Sequence, residues 1–133
     1  MWYLIFSLIG AALTLVLHEL SHCCLVWVGG GTVTSFKPWP HFETFTSAAG
    51  TERHFYFGRM TYDTARPPNR KWFLLAPLLK SLLFFVFWSI MGWFWHPLWC
   101  LAGWEVTDWS NWLQGYIRKS QNDGGQYRAS NAT

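Results

Sequence analysis

Apolar positions along this chain fall into two long uninterrupted runs and a third, interrupted one, with a polar and aromatic-rich stretch between the first two. The first run extends from about Trp2 to Val28 and stops at Gly29-Gly30-Gly31, a helix terminator. The second begins at Trp72, continues to Trp95 with Lys80 as its sole charged residue, and is broken by His96-Pro97. Each is long enough, as a tilted helix, to cross a hydrocarbon core of about 30 Å. The third, from Leu98 to Ile117, contains Glu105 and Asp108, but Trp109, Trp112, Leu113, Tyr116 and Ile117 recur in it at helical spacing. A membrane helix tolerates a polar face that looks into the protein or onto a metal. The pattern predicts an α-helical integral membrane protein with three transmembrane helices at about 2–28, 72–95 and 98–117. The competing reading of the third run is an amphipathic helix lying in the interface.

The loop at 29–71 has a pattern of its own. Thr32 to Phe36 and Phe55 to Tyr62 are rich in β-branched and aromatic residues and are separated by Pro38, Pro40 and a small polar stretch ending at Gly50-Thr51. Two short strands are expected there, forming a small β-hairpin-like unit. Its edge either holds an unwound substrate segment by backbone pairing or is structural only. The tail at 120–133, with Asn122-Asp123-Gly124-Gly125, reads as disordered, which leaves 1–119 as one membrane-embedded core. The first run has no positive n-region and no small-residue cleavage site, and it continues past His22, so it reads as a retained span rather than a signal peptide.

Composition agrees with a membrane class: 51% of the 133 residues are hydrophobic, 20% aromatic and only 13% charged. Trp2, Tyr3, Trp27, Trp72, Trp93, Trp95, Trp99 and Tyr116 fall near the span ends, where an amphipathic ring suits the interface. Lys37, Arg53, Arg59, Arg66, Arg70 and Lys71 all occupy the loop, and the turn at His96-Pro97 carries no Lys or Arg. The loop is therefore expected to be cytoplasmic, and Arg118, Lys119 and the tail fall on the same side after a third span. Lys80 is expected to snorkel to that surface. A net charge of +3 spread over loop and tail is a topology signal, not a nucleic-acid footprint. Cys23, Cys24 and Cys100 lie in apolar runs, and no disulfide framework is expected.

Within the first run stands His18-Glu19-Leu20-Ser21-His22. Histidines four apart on a helix lie one turn above each other on one face and can share a zinc ion, and the adjacent glutamate can take a proton from a water that zinc has acidified. Three ionisable residues inside one span cost several kcal/mol unless they meet an ion, a partner or water. We expect one Zn2+ per chain, with His18 and His22 as ligands and Glu19 as catalytic base. A catalytic zinc takes three protein ligands and keeps one open position. Asp108 is the expected third ligand: it lies roughly 14 Å of helix rise from its span end, and His22 roughly 9 Å from the corresponding end. Asp123, which would have to fold back, and Glu105 are the alternatives. Glu105 or Asn111 could instead bond a histidine's second nitrogen.

With His18-Glu19-Leu20-Ser21-His22 in a first core span, Gly29 to Gly31 closing it and a later span offering an acid, the chain resembles a minimal, core-only member of the site-2 protease family of intramembrane zinc metalloproteases. The resemblance implies three core helices and zinc-dependent hydrolysis of a transmembrane or membrane-associated protein substrate in the lipid bilayer. The family's third helix carries its aspartate in an Asn-Pro-Asp-Gly style motif. Here Thr107-Asp108-Trp109-Ser110-Asn111 lacks the proline and the glycine. The other reading is a non-enzymatic small membrane protein: a pore, an assembly factor, or a catalytically dead relative that binds substrates without cutting them.

Overall fold

Two apolar helices frame the molecule: α1, Trp2–Val28, and α2, Arg70–Phe94. The computed structural model describes residues 1–47, 50–63, 65–66, 68–118, 123–124 and 126. Helix α2 starts two residues ahead of its apolar run because Asn69 caps it, its side-chain oxygen accepting from the N–H groups of Lys71 at 3.1 Å and Trp72 at 3.4 Å. A 3-10 turn, His96–Leu98, then carries the chain into α3, Trp99–Arg118, which packs against both other helices. Polar ring atoms pin these joints. Trp104 Nε1 donates to Ser7 Oγ at 3.2 Å and Trp112 Nε1 to the Leu74 carbonyl at 2.8 Å. Between the helices, Cys23, Val26, Leu74, Leu101, Ala102 and Trp112 are buried.

The expected architecture of three transmembrane helices and a two-stranded loop needs correction on both counts. Among the described residues only α1 and α2, at 27 and 25 residues, are long and apolar enough to cross a membrane. In α3 the residues Glu105, Thr107, Asp108, Ser110, Asn111 and Gln114 dilute the apolar positions below that level. Among the described residues the loop forms four strands in two separate antiparallel sheets, so the chain is not all-helical. Strand β1, Val33–Lys37, pairs with β4, Arg59–Tyr62, while β2, His41–Ser47, pairs with β3, Gly50–Tyr56. The run from Phe55 to Tyr62 is thus divided at Phe57-Gly58 between two sheets. The stretch after Pro40, read as a connection, is itself a strand, because Phe and Thr at close spacing favour an extended chain.

Glu43 on β2 links the two sheets: it takes Lys37 Nζ at 3.0 Å, His41 Nε2 at 3.2 Å and an Arg59 guanidinium nitrogen. The Lys37 hydrogen bond is the main reason its carboxyl titrates below the usual range.

A second correction concerns Lys80, which does not snorkel. It is 8% exposed, and its ammonium donates to Glu105 Oε2 and to Asp108 Oδ2, each at 2.8 Å. Thr14 Oγ1 donates to Glu105 Oε1 at 3.3 Å, and Ser81 Oγ to Asp108 Oδ2 at 2.8 Å. Side chains from all three helices therefore meet in one buried ionic cluster. Such a cluster costs desolvation, and losing one partner typically destabilises by about 3–5 kcal/mol because the remaining charge is left buried and unpaired. Lys119 lies outside the described residues, as does the expected disordered tail apart from Asp123, Gly124 and Gln126.

Candidate metal centre

Four residues of α-helix bring His18 and His22 onto one face of α1, with ring centroids 5.4 Å apart. Both rings turn one nitrogen towards the same carboxylate oxygen: Asp123 Oδ2 lies 3.1 Å from His18 Nε2 and 3.2 Å from His22 Nε2. One ligand atom from each of the three residues falls within 4.8 Å of the others. Donor atoms around a tetrahedral zinc with bonds of about 2.0–2.1 Å stand roughly 3.3 Å apart, so the two ring-to-carboxylate distances suit such an ion.

The carboxylate in reach of both rings is Asp123, and not Asp108, the expected third ligand. Asp108 stands behind His18, its Oδ1 2.9 Å from His18 Nδ1, and its Oδ2 is taken by Lys80 and Ser81. It therefore stands where an orienting carboxylate, a part considered for Glu105, would stand, while Glu105 is 1% exposed and bonded to Lys80 and Thr14. Asp123, which follows α3 in sequence and returns to the helix bundle, is the candidate for the third ligand position. Gly124 makes that return possible, since a Cβ there would lie 1.8 Å from the Trp112 carbonyl oxygen and 2.9 Å from the Tyr116 nitrogen. The readable signal was the Asp123-Gly124 pair, an acid followed by a residue able to approach another backbone closely.

These contacts also bear on what the site can hold. With Asp108 accepting from Nδ1–H, a neutral His18 turns a bare Nε2 lone pair towards a carboxylate oxygen, an acceptor facing an acceptor. Relief requires positive charge at that point, either further ring protons or one shared cation. The donor set, two imidazoles and a carboxylate, is that of a catalytic zinc. In the proton-bearing case burial pushes the Asp123 carboxyl up, but hydrogen bonds from His18 and His22 outweigh it and hold the group below the ordinary carboxylate range. A cavity of about 20 Å³ beside it, lined by His18, Asp108, Asn111, Trp112 and Asp123, has room for roughly one water or small ion.

The two histidines are held differently. The His22 ring stacks on Phe73 of α2, with centroids 4.3 Å apart and planes 28° apart, and among the described residues its buried Nδ1 has no partner. Phe73 in turn packs on Tyr62 of β4, with centroids 5.5 Å apart. Ser21 Oγ donates to the His18 carbonyl at 2.6 Å, a bond inside the helix that turns the hydroxyl away from the cluster.

Glu19 is buried at 8% exposure, within electrostatic range of His18, His22, Asp123 and Asp108. The bend between β3 and β4 lies directly over it. A Cβ on Gly58 would stand 2.7 Å from Glu19 Oε1, 2.8 Å from its Cγ and 3.1 Å from its Cδ, so only glycine leaves the glutamate where it is. Nothing in the loop's strand pattern singled out Gly58, or Phe73 next to the start of α2. Gly58→Ala is expected to displace the Glu19 side chain while sparing the His18, His22 and Asp123 donors. Zinc content should stay at the wild-type level as any hydrolytic turnover falls by about a hundredfold, the scale of an ångström misplacement. Metal analysis alongside an activity assay reads both quantities.

No family model matches the chain, and no curated protein or solved structure shows significant similarity to it.

Proposed function

We propose that the protein is a membrane-embedded zinc endopeptidase of the site-2 protease kind, hydrolysing peptide bonds of a transmembrane or membrane-associated protein. The observation that carries this reading is the convergence of His18, His22 and Asp123 on one point, with the buried Glu19 beside them. Asp123-Gly124 also supplies the Asp-Gly half of the family motif that residues 107–111 lack.

Membrane embedding is supported by what the protein leaves uncovered. Leu4, Leu8 and Val28 on α1 and Leu83, Trp93 and Phe94 on α2 are each mostly exposed, an apolar surface that water penalises and lipid accepts. With α1 and α2 as spans, the basic residues of the loop put that side in the cytoplasm.

His18, His22 and Asp123 would hold the metal. When bound, zinc supplies Lewis acidity, lowering the pKa of water at the site towards neutrality and polarising a carbonyl oxygen. Glu19 accepts the proton that the attacking water loses and passes it to the departing amine nitrogen. Gly58 roofs the glutamate and keeps its carboxylate close to the metal donors. The β1–β4 sheet packs on α1, and an extended substrate segment could pair with its edge through its backbone.

The test is metal analysis of purified native protein, together with cleavage of a panel of transmembrane peptides. One zinc per chain, lost with cleavage on chelation and restored on adding zinc back, is the expected outcome. Protein that neither contains nor takes up zinc would return the chain to the non-enzymatic class of pores and assembly factors. Stoichiometric zinc with every peptide intact would make it a relative that binds without cutting.

A further inference from the structure

Lys80 is a buried charge that the proposed chemistry leaves unused. Its ammonium is 8% exposed and lies midway through α2, hydrogen-bonded at 2.8 Å to each of two carboxylates on α3, Glu105 and Asp108. The partners beyond those carboxylates differ. Glu105 leads to Thr14, which has no chemistry to offer a metal, whereas Asp108 leads through its second oxygen to His18 Nδ1 at 2.9 Å. The chain of contacts from Lys80 through Asp108 and His18 thus ends at the nitrogen that faces Asp123.

We propose that Lys80 is a positioning residue for the metal centre, anchoring the Asp108 carboxylate so that it holds His18 in the tautomer and orientation with Nε2 aimed at Asp123. This rests on the zinc-centre reading. Three features of the contact set favour it. Asp108 divides its oxygens, Oδ2 to Lys80 and Ser81 and Oδ1 to His18, so the anchored oxygen fixes the direction of the other. The carboxylate that receives Nδ1–H specifies which ring nitrogen is free to ligate, a contribution of about 10–100-fold to metal affinity in zinc proteins. Among the described residues His22 has no such carboxylate and stacks on Phe73, so the relay acts through His18.

A merely structural Lys80 would serve as the counter-charge of Glu105, and a pair of variants separates the two roles. Lys80→Met keeps most of the length of the side chain but leaves Glu105 and Asp108 facing each other. Lys80→Met with Glu105→Gln removes both charges of that pair, and glutamine can still bond Thr14. Each protein in detergent micelles is titrated with zinc against a chelator of known affinity, its cobalt(II) absorption spectrum is recorded, and the melting temperature of the metal-free form is measured.

Lys80→Met is expected to bind zinc about 10–100-fold more weakly, with an altered cobalt spectrum. The double variant should recover most of the lost metal-free melting temperature while its affinity stays low and its spectrum stays altered. Recovery of affinity and spectrum together with stability would overturn the proposal, as would wild-type affinity in Lys80→Met. If Lys80→Met does not fold, the double variant decides. Wild-type protein unable to bind zinc would sink the zinc centre and this proposal together. Wild-type protein that binds zinc, with variants that bind equally well, would sink this proposal alone.

Discussion

Asp123→Ala is expected to remove stoichiometric zinc, whereas Asp108→Ala should weaken binding without abolishing it. Apparent binding energies of about 10–16 kcal/mol over four zinc–ligand bonds give roughly 3 kcal/mol per ligand, so losing a direct ligand should lower affinity by more than about a hundredfold. Asp108 acts on the metal only through His18, and partners of that kind are worth about 10–100-fold. Gly124→Val supplies a control that leaves every ligand in place. Its Cβ would lie 1.8 Å from the Trp112 carbonyl oxygen, a backbone atom that cannot swing aside, so the segment must retreat and take Asp123 with it. Loss of zinc in Gly124→Val, matching Asp123→Ala, would show that the return of this segment builds the site. The reverse order, with zinc lost in Asp108→Ala and kept in Asp123→Ala, would give the third position back to Asp108. Metal analysis of the three variants under one purification decides between them.

The difference between Asp108 and Asp123 shows where sequence pattern stops being informative. Helical periodicity places His18, Glu19 and His22 with no knowledge of the rest of the chain, because spacings of one and four residues determine which side chains share a face. The two long helices are legible for a similar reason, since an uninterrupted apolar run has few other ways to bury its backbone polar groups. The third ligand has no such local rule. Asp108 satisfied the depth argument, whereas Asp123 lay beyond the apolar runs and would have to fold back. Its position beside both rings depends on a close backbone approach at Gly124, and Lys80 and Ser81 engage Asp108. Lys80 was misread because a lone lysine on an apolar helix has two solutions, a reach to the surface or a buried partner. Only the packing of α2 on α3 selects the second. In the loop, Pro38 and Pro40 were sound punctuation, but they separate two sheets rather than two strands of one. That pairing depends on register across about twenty residues, which strand propensity alone does not encode.

Glu19→Gln is expected to retain zinc and lose cleavage by about 10²–10⁴-fold, the usual contribution of a positioned general base. Glutamine has nearly the same volume and keeps a hydrogen-bonding end, so the space beneath Gly58 stays filled, but a neutral amide cannot accept the proton of an attacking water. The prediction gains force from the setting of the side chain. Among the described residues no hydrogen bond or ion pair to the Glu19 carboxylate is formed, although it is 8% exposed and close to the metal donors. With no protein donor to lose, Glu19→Gln should leave the melting temperature of the metal-free protein unchanged even as turnover falls. A purely structural glutamate would behave in the opposite way, with melting temperature and zinc content falling together. Gly58→Ala completes the comparison, because it keeps the carboxylate and moves it. If Glu19 is the base, both variants hold zinc and both lose turnover, and only Gly58→Ala keeps a group able to accept a proton. Its residual rate should therefore exceed that of Glu19→Gln on the same peptide. Equal cleavage by Glu19→Gln and wild type would remove the glutamate from the reaction and require a different proton acceptor at the site.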